Sequence, residues 1–187
     1  MSNEYAHKLA SPGPLGLMGF GMTTILLNLH NAGFFPNASV ILAMGIFCGG
    51  LAQVLAGFLE FYKGNTFGLV AFSSYGFFWL SLGGIWVLPI LGWSEKPSEA
   101  YMGCYLFLWG IFTFLMFLGT LKSNCVLQFV FLSLAVLFIL LALHNFLESE
   151  AIGHLAGYVG LVCGASAMYL SIAEILHEQY SRKFLPY

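Results

Sequence analysis

Apolar residues gather along this chain into six long blocks, at 14–33, 38–61, 66–90, 100–121, 125–147 and 151–176. A helix needs about 20 mainly apolar residues to cross the hydrocarbon of a bilayer. Each block therefore predicts one transmembrane helix. The polar breaks between them are short, and only 91–99, LGWSEKPSE, reads as a proper loop. The pattern predicts an all-α integral membrane protein of six transmembrane helices, forming a single membrane domain over 1–187.

The polar residues inside the blocks are few and patterned. In the sixth block Gly153, Gly157, Gly160, Gly164, Ala167, Ser171, Glu174 and Glu178 recur at alternating spacings of four and three. That spacing puts them on one face of a helix. The second block repeats the idea with Gly45, Gly49, Gln53 and Gly57, flanked by Ala52, Ala56 and Glu60. Small residues at such spacing let transmembrane backbones approach closely, so packing or an oligomer contact explains the glycines. Gln53 asks for more, because an amide in mid-membrane needs a partner or water. Thr23, Thr24, Asn28, Ser73, Ser74, Tyr75, Thr113, Gln128 and Ser133 complete the mid-membrane polar set. Singly, a serine or threonine satisfies itself on its own helix carbonyl. Gathered mainly on the first, third and fifth helices, they read as the lining of a path.

A weak repeat supports a path between hairpins. FLEFYKGNTFGLVAFSSYG, from Phe58, aligns with FLGTLKSNCVLQFVFLSLA, from Phe117, at a shift of 59. Lys63 then matches Lys122, and Asn65 matches Asn124. FGLVAF, from Phe67, also resembles LGLMGF, from Leu15, at a shift of 52. Three helix pairs repeated in the same direction would surround an axis along the membrane normal.

Composition agrees. Of 187 residues, 59% are hydrophobic and 7% charged, against about 25% charged in a soluble domain. The net charge of −2 does not suggest nucleic acid. The polar first ten residues run into a full span, so no cleavable signal peptide is expected. Cys48, Cys104, Cys125 and Cys163 stand singly without a CxxC pair, which predicts neither a disulfide frame nor a metal site. With six spans both termini share a side. Lys8, Lys63, Lys122, Arg182 and Lys183 fall on it, and only Lys96 falls on the other. The positive-inside rule then puts both termini in the cytoplasm. His30, His144 and His154 fall near the outer face.

The stretch SPGPLGLMGFGMTTILLNLHNAG, Ser11 to Gly33, opens the first helix. Pro12 and Pro14 suit a first helical turn, where no N–H is missed. Gly13, Gly16 and Gly19 expose backbone to a ligand or to another helix. A helix N-terminus also offers free N–H donors and partial positive charge. An anion mouth and a packed helix start are both consistent with these residues.

Together with KGNTFGLVAFSSYGFFWL, LKSNCVLQFVFLSL and CGASAMYL, this stretch resembles the acetate uptake transporter family over almost the whole chain. The family signature begins Asn-Pro-Ala-Pro-Leu-Gly-Leu; here Ser11 and Gly13 replace the asparagine and the alanine. The resemblance implies six helices per protomer, a homo-hexamer in the bacterial inner membrane, and one path per protomer. It implies a constriction at Phe20, Tyr75 and Leu134. The implied substrates are acetate and other small carboxylates, including succinate, moved with protons and without a cofactor. Candidate substrate contacts are Ser11, Pro12, Gly16, Thr23, Gln53, Ser74, Gln128, Ser133 and Ala167.

No Lys or Arg lies inside a block, and a bare carboxylate in hydrocarbon is very costly. A proton travelling on the substrate or on a nearby carboxylate would remove that cost, which singles out Glu60 and Glu174. Two other classes remain. A channel for small neutral solutes such as ammonia or urea would share the apolar constriction. A haem-binding oxidoreductase subunit would use the outer histidines, although no CxxCH is present.

Overall fold

The structure, a computed structural model, describes residues 9–36 and 39–187. Six helices follow one another: α1 Gly13–Asn31, α2 Ser39–Tyr62, α3 Thr66–Ile90, α4 Glu99–Gly119, α5 Cys125–Leu147 and α6 Glu150–Tyr180. No strand occurs among the described residues. Helices α2 to α6 are each long and apolar enough to cross a membrane. Helix α1 spans 19 residues but spends its last turns on Asn28, His30 and Asn31. Lys8 and residue 38, used above for sidedness and for a span boundary, lie outside the described residues. Helices α3 and α5 begin and end where the apolar pattern put them. Helix α6 runs past the expected 176 to Tyr180, stopping where Ser181 turns left-handed at φ 52°.

Local chemistry sets the helix starts. Asn65 accepts from Gly68 N at 3.0 Å, Ser98 from Tyr101 N at 3.2 Å and Asn124 from Leu127 N at 2.8 Å. Each side chain satisfies one of the free N–H groups of a first turn. Asn65 and Asn124 are the pair matched by the 59-residue shift, and they do the same job on α3 and α5. The α2–α3 turn passes through Gly64 at φ +69°, a conformation that favours glycine.

The helices form a ring in chain order. Helix α1 packs along α6 on one flank and α2 on the other; α2 packs on α3, α4 on α5, and α5 on α6. Small residues make the α1–α6 seam close. A side chain on Gly157 would strike Ala32, one on Gly160 would strike Asn28, and one on Gly21 would stand 2.7 Å from the Gly164 carbonyl. The small-residue face of α6 is therefore spent on α1 over most of its length. Ring closure between α3 and α4 relies instead on large side chains. Phe78 stacks on Tyr105 with centroids 5.9 Å apart, and Ser81 Oγ meets Tyr105 Oη at 2.7 Å.

Helix α2 widens to π geometry over Gly45–Ala52. Gly19 of α1 lies against this segment, where a Cβ would come 2.5 Å from the Cys48 carbonyl. Thr23 donates to its own Gly19 carbonyl at 2.8 Å and toward the Met44 carbonyl at 3.2 Å.

Candidate functional site

At the Ser11 end of the ring a cavity of about 200 Å³ opens among α1, α2, α3, α5 and α6. Its mouth is polar, with Ser11, Glu60, Lys63, Asn65 and Glu174; its walls turn apolar with depth through Leu17, Ala71 and Phe131. Phe20, Tyr75 and Leu134 also line it, one each from α1, α3 and α5, and they are 6%, 4% and 4% exposed.

Two carboxyl groups dominate the mouth. A methyl group on Gly13 would stand 3.4 Å from Glu174 Oε2 and 3.7 Å from Glu60 Oε1, so both acids flank the start of α1. Glu60 is buried and accepts from Asn65 Nδ2 at 2.7 Å. Asn65 thus caps α3 with its oxygen and clamps Glu60 with its nitrogen. Lys63 Nζ, exposed at the rim, lies 3.4 Å from Ser11 Oγ. Deeper in, Gln53 is 1% exposed and its Oε1 has no hydrogen-bond partner among the described residues. A buried acceptor of that kind calls for a donor.

A second cavity, about 540 Å³, opens at the opposite end of the ring. His30, Asn31, Lys96, Glu99, His144 and Asn145 are its polar lining, and Phe78, Leu82 and Leu106 are among its buried apolar lining. Among the described residues the two cavities share no lining residue. Between them lies an aromatic and aliphatic layer. Tyr75 sits 6.2 Å from Phe20, 5.7 Å from Phe112 and 6.0 Å from Phe131 by ring centroid. One turn further along α3, Phe78 packs edge-on against Phe138 at 5.0 Å.

Of the residues singled out from the sequence, the first cavity brings together Ser11, Phe20, Gln53, Glu60, Tyr75, Leu134 and Glu174. Pro12, Gly16, Thr23, Ser74, Gln128, Ser133 and Ala167 line neither cavity, and several have a visible local role. Pro12 begins α1, its carbonyl accepting from Leu15 N and Gly16 N at 3.1 and 3.3 Å. Gly16 makes room for the Phe72 ring. Thr23 bridges α1 to the π segment. Gln128 donates to the Ser123 carbonyl at 2.9 Å, and Ser133 to the Phe129 carbonyl at 2.7 Å. Ala167 is fully buried.

The cavity also enlists residues that the sequence reading did not single out as contacts. In the sequence alone, Lys63 marks sidedness, Asn65 is a repeat match and Gly13 belongs to the glycine run. The KGN turn between two apolar blocks was the one available signal. At the other end, His30 Nδ1 meets the Phe35 carbonyl at 2.9 Å and His144 Nδ1 the Ser149 carbonyl at 2.8 Å. Both are tied to their own turns.

An all-helical ring with apolar helices and a cavity at each end is the architecture of a polytopic membrane protein. The chain belongs to the GPR1/FUN34/yaaH family, whose model matches residues 1–186. It is 62% identical over 179 residues to the succinate-acetate/proton symporter SatP of Escherichia coli strain K12, covering 96% of this chain and 95% of that one. The solved structure of the bacterial acetate channel SatP matches it with a TM-score of 0.95 at 61% identity, over 96% of this chain and 99% of that one. Ammonia transport outward protein 2 of Saccharomyces cerevisiae is 38% identical, over 94% of this chain but only 64% of that longer protein.

Proposed function

We propose that this protein moves acetate and other small carboxylates such as succinate, together with protons, across the bacterial inner membrane. The observation that carries the reading is the pair of opposed cavities separated by the layer at Phe20, Tyr75 and Leu134. A small acid can occupy either cavity, and only a small apolar body suits the layer between. The relatives named above, a symporter and a channel, support the same reading.

The physical difficulty is charge. Among the described residues no Lys or Arg lies within a helix, so a carboxylate would enter the layer without a counter-ion. Burial of an unpaired charge is far costlier than burial of a neutral, hydrogen-bonded acid. Crossing in the protonated form removes that cost. Glu60 and Glu174 are our candidates for handling the proton, because both face the mouth of the first cavity. Ser11 and Gln53 are the candidate substrate contacts that line it.

On this reading the whole chain is one transport domain with both termini in the cytoplasm, and six copies assemble around six separate paths. The carboxyl-lined cavity then opens to the cytoplasm. The test is acetate uptake by purified protein in liposomes. Uptake that rises as external pH falls, and collapses with a protonophore, is expected. Acetate flux no greater than that of empty liposomes would overturn the proposal.

The yeast relative's name favours a second reading, transport of ammonia. A neutral molecule would pass the same layer. Competition between acetate and ammonium in the same liposomes separates the two.

A further inference from the structure

Thr113 on α4 is fully buried and lines neither cavity. Its hydroxyl donates to the Trp109 carbonyl at 2.7 Å, the usual bond of a threonine to its own helix. The same oxygen accepts from Tyr75 Oη at 3.0 Å. Because the Thr113 proton is already used, the direction is settled: Tyr75 donates. Tyr75 lines the carboxyl-lined cavity, and its hydroxyl is bound to α4 through Thr113.

A buried tyrosine hydroxyl needs a partner. Among the described residues Thr113 is the one hydrogen-bond partner of the Tyr75 hydroxyl, so its loss frees that hydroxyl. We propose that Thr113 is a positioning residue for the constriction: by anchoring the Tyr75 hydroxyl on α4, it keeps the layer between the cavities apolar and so sets which solutes cross. The surrounding rings fit this role. Phe112 and Trp109 of α4 lie 5.7 and 6.2 Å from the Tyr75 ring and hold it from the side on which its hydroxyl is tied. The inference rests on the reading that solutes pass this layer.

The test compares Thr113→Val, Thr113→Ser, Tyr75→Phe and the double variant Thr113→Val/Tyr75→Phe in liposomes. Glycolate, which is acetate plus one hydroxyl, is the probe, and the readout is its uptake ratio to acetate. Valine matches threonine in shape but cannot accept, so on this proposal the freed Tyr75 hydroxyl becomes available to solutes in the path. The glycolate-to-acetate ratio should rise about fivefold, the scale of one hydrogen bond. Serine should restore the wild-type ratio. With Tyr75→Phe there is no hydroxyl to release, so adding Thr113→Val should leave the ratio unchanged. A merely structural Thr113 would lower both fluxes together and act the same in either background. An unchanged ratio in Thr113→Val, or an equal effect in the Tyr75→Phe background, overturns the inference. Cryo-electron microscopy of Thr113→Val gives a readout independent of transport. Displacement of the Tyr75 hydroxyl from α4 supports the positioning role, and an unmoved Tyr75 overturns it. Wild-type protein that fails to move acetate, beside a displaced Tyr75, would strike the transport reading alone.

Discussion

Ser171 donates its hydroxyl proton to the carbonyl of Pro14 at 2.7 Å, joining the last turns of α6 to the first turn of α1 across 157 residues of sequence. Both groups are buried. The bond sits beside Gly13, where Glu60 and Glu174 converge, so it holds together the two helix ends that frame the mouth. Ser171→Ala should lose about 1 kcal/mol, the net worth of one such bond. A lower thermal midpoint in detergent, restored by Ser171→Thr, is the expected result.

The start of α1 contains two glycines with different tasks. Gly16 seats the Phe72 ring, and any side chain there collides with it. Gly13 faces the two carboxyl groups at ordinary van der Waals distance. Gly16→Leu should therefore reduce folded yield, whereas Gly13→Ala should fold and narrow the mouth. Size-exclusion profiles and acetate uptake at matched expression distinguish the outcomes. Equal folded yields for both variants would refute the assignment.

Proton handling is tested at the mouth. If Glu60 or Glu174 relays the proton, Glu60→Gln or Glu174→Gln should flatten the rise of acetate uptake with falling external pH. Wild-type pH dependence in both variants would leave the proton on the substrate alone.

At the constriction, Leu134→Ala removes side-chain volume without adding polarity. Lactate and butyrate should gain relative to acetate, while stability falls by the ~2–5 kcal/mol of other large-to-small core changes. Ala167→Leu should behave differently. Ala167 is fully buried outside both cavities, so the larger side chain should cost folding and leave substrate ratios unaltered. A changed ratio in Ala167→Leu, or an unchanged one in Leu134→Ala, would show that size selection lies elsewhere.

The sequence by itself determined the six helices. Twenty-residue apolar blocks leave the backbone few options in lipid other than intrahelical bonding. It also determined where α3 and α5 begin, because Asn65 and Asn124 each cap the first turn from a neighbouring position in the chain. The small-residue face of α6 was legible from its spacing, though its partner α1 was not.

Tertiary structure decided which residues reach the cavities. Thr23, Gln128 and Ser133 looked like path lining, yet each bonds to a backbone carbonyl, while Asn65 and Gly13 turned out to line the mouth. The reason is rotational. A helix that is apolar all round gives no strong signal for its own orientation, since lipid and protein core accept the same side chains. Orientation came instead from contacts between distant segments: Gly164 against Gly21, Gly16 around Phe72 and Tyr75 tied to Thr113. Such contacts depend on the shapes of two surfaces at once, and spacing along a single helix carries only one of them.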